Sequence, residues 1–284
     1  MKKVIAIYHK DCNDGTTAGA VVLRKFPEAK VFPLSHSHTR EELENILSLI
    51  DEGTDVYTVD NVLGVKEILS LGFKVTSIDH HIGAKEEYEK LAIENKNFTF
   101  IFDNDKSGAS LSWSYFFPDD EVPELIKLVE DADLFKLKYR DDTKDMGNYL
   151  SIFQNDSKAV AGLINSDLDE KKDKGRMISI YEDKRLTKEL EKLPITIKIG
   201  DFEVPVYNID SGLRSVGGNI LSSQQNKTVG IFGISGNTVK ISFRGRDGHE
   251  PNALTLAQIL GGNGHKKAAA AFISLSKFLE MIVK

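Results

Sequence analysis

A single cysteine, Cys12, excludes an internal disulfide and any cysteine-rich zinc cluster. It fits a reducing, cytoplasmic compartment. No apolar run approaches the roughly 20 residues that a membrane helix needs, so no membrane partner is expected. The short apolar stretch 4–8 runs straight into His9-Lys10-Asp11 and reads as a core strand rather than a signal peptide. Internal repeats and low-complexity tracts are absent. A net charge of −6 argues against a protein that coats long duplex nucleic acid. What is present is an ordinary globular composition, 40% hydrophobic and 28% charged, over 284 residues, with room for two domains. The charge is uneven. Residues 196–284 carry ten Lys and Arg against six Asp and Glu, a net +4, and the remainder carries −10. That asymmetry suits plain solvated surface, or an acidic metal-binding domain paired with a basic phosphate-holding one.

The first half alternates short β runs with helical spacing. Residues 4–8 (VIAIY), 31–33, 56–59 (VYTV), 73–78 (FKVTSI) and 98–102 (FTFIF) read as strands. Residues 16–25, 39–50, 65–71, 86–94, 107–117 and 122–130 read as helices, the second opening with the capping pattern Thr39…Glu42. Repeated strand–helix units predict an α/β fold with a doubly wound parallel sheet. Residues 159–194 are polar and helical and read as a solvated connector. From Ile195 onward, ITIKIG, VPVYNI, TVGIFGI and TVKISFR form a second, β-rich block, followed by a helix at 254–260 and the glycine-rich run 261–271. The expected domains are therefore 1–158, a linker at 159–194, and a smaller mixed α/β domain at 195–284.

In open α/β sheets ligands bind beyond the carboxyl ends of the strands. Here those ends deliver His9, Asp11 and Asp14 after the first strand, Asp60 after the third, and Asp79-His80-His81 after the fourth. Hard oxygen and imidazole donors suit Mn2+, Fe2+ or a pair of such ions better than a structural zinc site. Each residue alone has a plainer reading: Asp60 as a turn or cap, His80 and His81 as a capped turn, Asp14-Gly15 as a loop. Chance rarely places Asp or His at every strand end along one sheet edge.

At these residues the chain resembles the DHH phosphoesterase superfamily. Asp79-His80-His81 after an apolar strand is similar to its signature, and His9-Lys10-Asp11-Cys12-Asn13-Asp14-Gly15 to its first motif. Asp60 stands where the second motif has its single Asp. Glu130-Asp131-Ala132-Asp133-Leu134-Phe135 is similar to the fourth, and Ser107-Gly108-Ala109-Ser110 to a segment between the third and fourth. Gly261-Gly262-Asn263-Gly264-His265-Lys266-Lys267-Ala268-Ala269 resembles the Gly–His–Ala element of the DHHA1 domain. The motifs stand in family order along almost the whole chain. Departures are Cys12 in the place of an aspartate common in the first motif, and Asn263 and Ala270 where glycine is common.

The resemblance implies a DHH domain and a DHHA1-like domain with the active site between them. It implies two Mn2+ ions, with Mg2+ or Co2+ as substitutes. His9, Asp14, Asp60, His80 and Asp131 would be ligands, Asp60 bridging; Asp131 is preferred over Asp133 because Phe135 follows it by four. Asp11 and Cys12 remain alternative donors. His81 would touch the substrate phosphate and Asp79 would orient its neighbours, with water attacking phosphorus and no protein nucleophile. Ser107, Arg244, Gly261, Gly262, Gly264 and His265 would hold substrate; arginine suits phosphate, and glycines admit close approach of backbone. The implied activity is hydrolysis of phosphodiester bonds in short single-stranded RNA or DNA; close variants are removal of the phosphate from 3′-phosphoadenosine 5′-phosphate and cleavage of a cyclic dinucleotide. The alternatives are a pyrophosphatase or polyphosphatase, and a non-catalytic nucleic-acid-binding module.

Overall fold

A computed structural model describes residues 3–283 and divides the chain into two compact units at Ser179/Ile180. The first unit is built from β1 (Val4–His9), α1 (Asn13–Lys25), β2 (Lys30–Leu34), α2 (Arg40–Leu47), β3 (Asp55–Val59), α3 (Val65–Ser70), β4 (Val75–Asp79), α4 (Ile82–Glu94) and β5 (Phe98–Phe102). It continues through α5 (Gly108–Phe116), α6 (Glu124–Asp133), α7 (Asp141–Ser151), α8 (Ser157–Ala161) and the start of α9 (Asp169–Leu190). The five strands form one all-parallel sheet in the order β2-β1-β3-β4-β5.

Side-chain alternation along β1 explains why both sheet faces are covered. Ala6 and Tyr8 enter a core shared with Val21, Ile78, Trp113 and Leu125, while Ile5 and Ile7 enter another with Val56, Ile68 and Val75. The helices follow the expected positions with small shifts. α2 opens with the capping box read from the sequence: the Thr39 hydroxyl accepts from Glu42 N, and the Glu42 carboxylate accepts from Thr39 N at 2.7 Å. α4 begins four residues earlier than its spacing predicts, directly after His81.

The second unit holds β6 (Ile195–Ile199), β7 (Phe202–Tyr207), α10 (Arg214–Gln225), β8 (Val229–Ser235), β9 (Thr238–Arg244), α11 (Ala253–Ile259), β10 (Asn263–Gly264), β11 (Ala268–Ser274) and α12 (Leu275–Glu280). Its six-stranded sheet is mixed, ordered β10-β11-β9-β8-β7-β6, with β7–β8 its parallel pair. One face packs on α11 and α12 through Ile199, Ile241, Phe243, Leu256 and Phe278. The other carries Tyr207, Ile209, Leu221 and Ile231.

The stretch expected to be a solvated connector is mostly exposed but packs along one side. Val160, Ile164 and Leu168 belong to the first unit's core, and Lys172, Gly175 and Ser179 on α9 are buried. Leu186 and Leu190, at the other end of α9, pack in the second unit. Its charge density concealed an apolar side. Among the described residues no helix is long and apolar enough to cross a membrane.

Candidate metal centre

In the strand order 2-1-3-4-5 the direction in which successive strands are added reverses between β1 and β3, and the crevice at their carboxyl ends is where such sheets bind ligands. His9 is the last residue of β1 and Asp60 the first beyond β3. Asp79 ends β4, with His80 and His81 next. Asp14 enters from the first turn of α1 and Asp133 from the last residue of α6. Five separate elements therefore converge on one point.

Local structure aims these groups. Asp60 adopts a left-handed backbone, φ 58°, which aspartate tolerates better than most residues, and its N–H donates to Ile78 O at 2.9 Å. The Asp14 carboxylate accepts from Gly108 N at 2.6 Å and Ala109 N at 3.0 Å, the exposed donors at the start of α5. A Cβ on Gly108 would stand 2.5 Å from Asp60 Cβ, so this helix end can approach Asp60 only as glycine. His81 Nδ1 donates to Asp79 Oδ1 at 2.7 Å, which fixes its ring beside that of His80, 4.6 Å away between centroids.

His80 lies at the centre. Its Nε2 is 3.1 Å from Asp60 Oδ1, 3.6 Å from Asp133 Oδ2 and 3.8 Å from Asp14 Oδ2. On the far oxygen of Asp60, Oδ2, His9 Nδ1 stands 3.7 Å away. Donor atoms of three sets lie within 4.8 Å of one another: His9, Cys12 and Asp60; Asp60, His80 and His81; Asp14, His80 and Asp133.

Such crowding sets the charges against one another. Burial, then the charges of Asp60 and Asp133, push Asp14 well above the ordinary carboxylate value. Burial also raises Asp133. For Asp60, burial opposes ionisation, but the hydrogen bond from His80 and the nearby His9 ring outweigh it and hold the group below its usual value. Burial works against a charged His80 as well; its hydrogen bond to Asp60 and the three surrounding carboxylates lift it to about 9. Hydrogen bonding to Asp79 raises His81. The Cys12 thiol is pushed up to about 12, by burial first and then by Asp60.

These residues fit divalent cations. Among the described residues, the buried atoms His9 Nδ1 and Asp60 Oδ2 have no hydrogen-bond partner although they face each other. Three mutually repelling carboxylates around a protonated imidazole are a donor set that a cation satisfies better than a proton does. Asp60 offers one oxygen to the His9–Cys12 side and the other to the His80 side, the arrangement a bridging carboxylate requires.

Of the residues read from the sequence, His9, Asp14, Asp60 and His80 come together, with Asp79 and His81 alongside. Asp131 and Ser107, in the same unit, do not join them. Asp131, preferred as a ligand, is 2% exposed, and its carboxylate accepts from Lys138 N at 2.8 Å, Tyr139 N at 3.2 Å and the Thr143 hydroxyl. It ties down the loop after α6, and Asp133 takes the place in the cluster. Ser107 is 0% exposed and caps α5 by accepting from Ser110 N. Of the two alternatives Asp11 and Cys12, Cys12 stands in a donor group with His9 and Asp60. Asp11 is drawn aside, its N–H donating to Asn155 Oδ1 and its Oδ1 accepting from Asn155 Nδ2. That clasp spans 144 residues and has no local signal in the sequence.

In the second unit, half-buried Arg244 ends β9 and donates to Ser215 Oγ at 2.9 Å and Phe243 O at 3.0 Å. The glycine run has an internal structural reason. It leads into the β10–β11 hairpin, where a Cβ on Gly262 would meet Ala270 O at 2.1 Å and one on Gly264 would meet Ala269 Cα at 2.5 Å. Gly261 adopts φ 78° at the end of α11, and His265 turns the hairpin, exposed, with its N–H donating to Ala268 O at 2.7 Å.

No family model matches the sequence. Uncharacterized protein R106 of Acanthamoeba polyphaga mimivirus is 24% identical over 146 residues, which is 47% of this chain and 34% of that protein. The chain thus matches about a third of that relative's length. Among solved structures, manganese-bound exonuclease RecJ is similar with a TM-score of 0.60 at 16% identity, over 98% of this chain and 88% of that one. The pGpG-specific phosphodiesterase PggH of Vibrio cholerae gives 0.55 at 13%, over 97% and 95%. RecJ of Thermus thermophilus in complex with Mn2+ gives 0.51 at 15%, over 98% of this chain and 51% of that one. At such identities the likeness is one of fold: the chain is folded as RecJ and PggH are.

Proposed function

We propose that the chain is a divalent-metal-dependent phosphodiesterase acting on short single-stranded oligonucleotides or small nucleotides. The observation that carries this reading is the double set of donors sharing Asp60 at the sheet's switch point. His9, Cys12 and Asp60 would hold one cation, and Asp60, Asp14, His80 and Asp133 a second. Such ions, of which Mn2+ is the first choice, supply an activated water and neutralise charge developing on the phosphoryl oxygens. The protein's part is positioning. The α5 amides keep Asp14 aimed at the cluster, and Gly108 keeps Asp60 in place. Asp79 fixes the His81 ring, leaving its other nitrogen for a phosphate oxygen, and 47% side-chain exposure leaves it reachable. Arg244 and His265 in the second unit offer donors for the rest of the substrate. Manganese in two structurally similar proteins, and a dinucleotide named for a third, support this choice of ion and substrate class.

The test is a hydrolysis screen with Mn2+ against dinucleotides, longer oligonucleotides, 3′-phosphoadenosine 5′-phosphate, cyclic dinucleotides and pyrophosphate. Turnover of at least one nucleotide ester, abolished by chelation, is expected. Cleavage of pyrophosphate alone would overturn the reading.

A further inference from the structure

Beside the metal centre, within the first unit, lies a cavity of about 290 Å³ between the start of α1, the end of α6 and α7. Asp14 and Asp133 form part of its wall, so cavity and cluster share two carboxylates. Leu128 and Val129 from α6 and Met146 and Leu150 from α7 also line it, each of them packed in the core and 0–4% exposed. At the rim two amides meet. Asn13 Nδ2 donates to Gly147 O at 2.9 Å, and Gln154 Nε2 reaches Asn13 Oδ1 at 3.5 Å. We propose that this cavity seats the nucleobase of the nucleotide whose phosphate lies at the metal centre. The inference rests on the phosphodiesterase reading and adds a base-recognition site to it.

Size, polarity and position all favour a base. Pockets for drug-sized ligands run from about 300 to 1,000 Å³, so this one takes a single ring system and not two stacked nucleotides. A flat heteroaromatic ring matches an apolar wall on its face and amide groups on its edge, the groups by which side chains read base edges. Asp11, Asp14 and Asp133 make the lining acidic, which disfavours a phosphate in the cavity away from the cations. Since Asp14 and Asp133 belong to both cavity and cluster, a phosphate at the cluster leaves the attached sugar and base beside the opening.

Gly147 provides the means of testing this. It lies within α7, lines the cavity, and a Cβ there meets nothing within 4 Å. Calorimetric titration of the Mn2+-loaded protein would compare adenosine 5′-monophosphate with ribose 5-phosphate. The wild type should bind the nucleotide at least tenfold more tightly. Gly147→Phe, which fills the cavity, should bring the nucleotide down to the affinity of ribose 5-phosphate, whereas Gly147→Ala should keep the preference. Should Gly147→Phe fail to fold, Ala132→Phe on the exposed rim fills the same space from outside. Equal binding of the two probes by the wild type would overturn the proposal, as would a nucleotide preference that survives in a folded filled-cavity variant. If neither probe binds, the phosphodiesterase reading itself falls.

Discussion

His9 Nδ1 and Asp60 Oδ2 face each other across 3.7 Å, both buried and neither hydrogen-bonded among the described residues. Leaving two buried polar atoms unsatisfied costs about 1–3 kcal/mol each, a cost that a shared cation removes. Asp60→Asn isolates the charge. Asparagine keeps the volume and tolerates the left-handed backbone at φ 58°. The variant should lose most bound metal and all Mn2+-dependent hydrolysis, read by elemental analysis and turnover. Normal metal content would refute the bridging role.

Asp131 and Asp133 should separate cleanly. Asp131→Ala leaves the amides of Lys138 and Tyr139 without their acceptor, at a cost of about 1–3 kcal/mol. Its Tm should fall by several degrees. Asp133→Ala should change Tm little and lose metal and turnover, since its carboxylate faces His80 instead of a loop. Thermal melts beside metal analysis decide it, and a reversed pattern would restore Asp131 as the ligand.

The contrast shows what the sequence carries. Strand ends and the order of motifs are local patterns, and they located His9, Asp14, Asp60 and His80, as the capping box located α2. Asp131 and Asp133 sit two residues apart at one helix end, and what distinguishes them is a loop closing over Asp131 from positions 138–143. Pairing across such a loop has no periodicity to read. β11 was illegible for a related reason. Its AAAAFIS composition favours helix, but seven residues pair with β9, where small side chains suit the packed sheet. α7 was missed because Gly147 and the buried polar Thr143 and Asp145 interrupt its apolar spacing.

Arg244 belongs to the second unit and to none of the metal-donor groups. Arg244→Ala should leave metal content unchanged and act on substrate. Loss of a charge-assisted phosphate contact costs about 1.5–3 kcal/mol, or roughly ten- to a hundredfold in kcat/KM. The effect should fall on KM for a dinucleotide and be much smaller for a minimal phosphodiester. Equal losses on the two would show that Arg244 does not grip the part of the substrate beyond the scissile bond.

Cys12 makes this centre chemically distinct from an all-oxygen and imidazole site. Its sulfur groups with His9 and Asp60, and burial keeps the thiol protonated when no cation is bound, at about 12. A coordinating cation removes that proton outright. Thiolate is a soft donor, so the His9–Cys12–Asp60 position should favour Zn2+, Fe2+ or Co2+ over Mn2+ relative to the oxygen-rich position at Asp14 and Asp133. Cys12→Asp substitutes a hard donor and should shift the preference toward Mn2+, read by metal competition at equilibrium. A spectroscopic signature tests ligation without turnover. Co2+-loaded wild type should show a thiolate-to-cobalt charge-transfer absorption that is absent from both Cys12→Asp and Cys12→Ser. Absence of that band from a wild type with full cobalt occupancy would remove Cys12 from the ligand set and leave His9 and Asp60 to hold that ion without it.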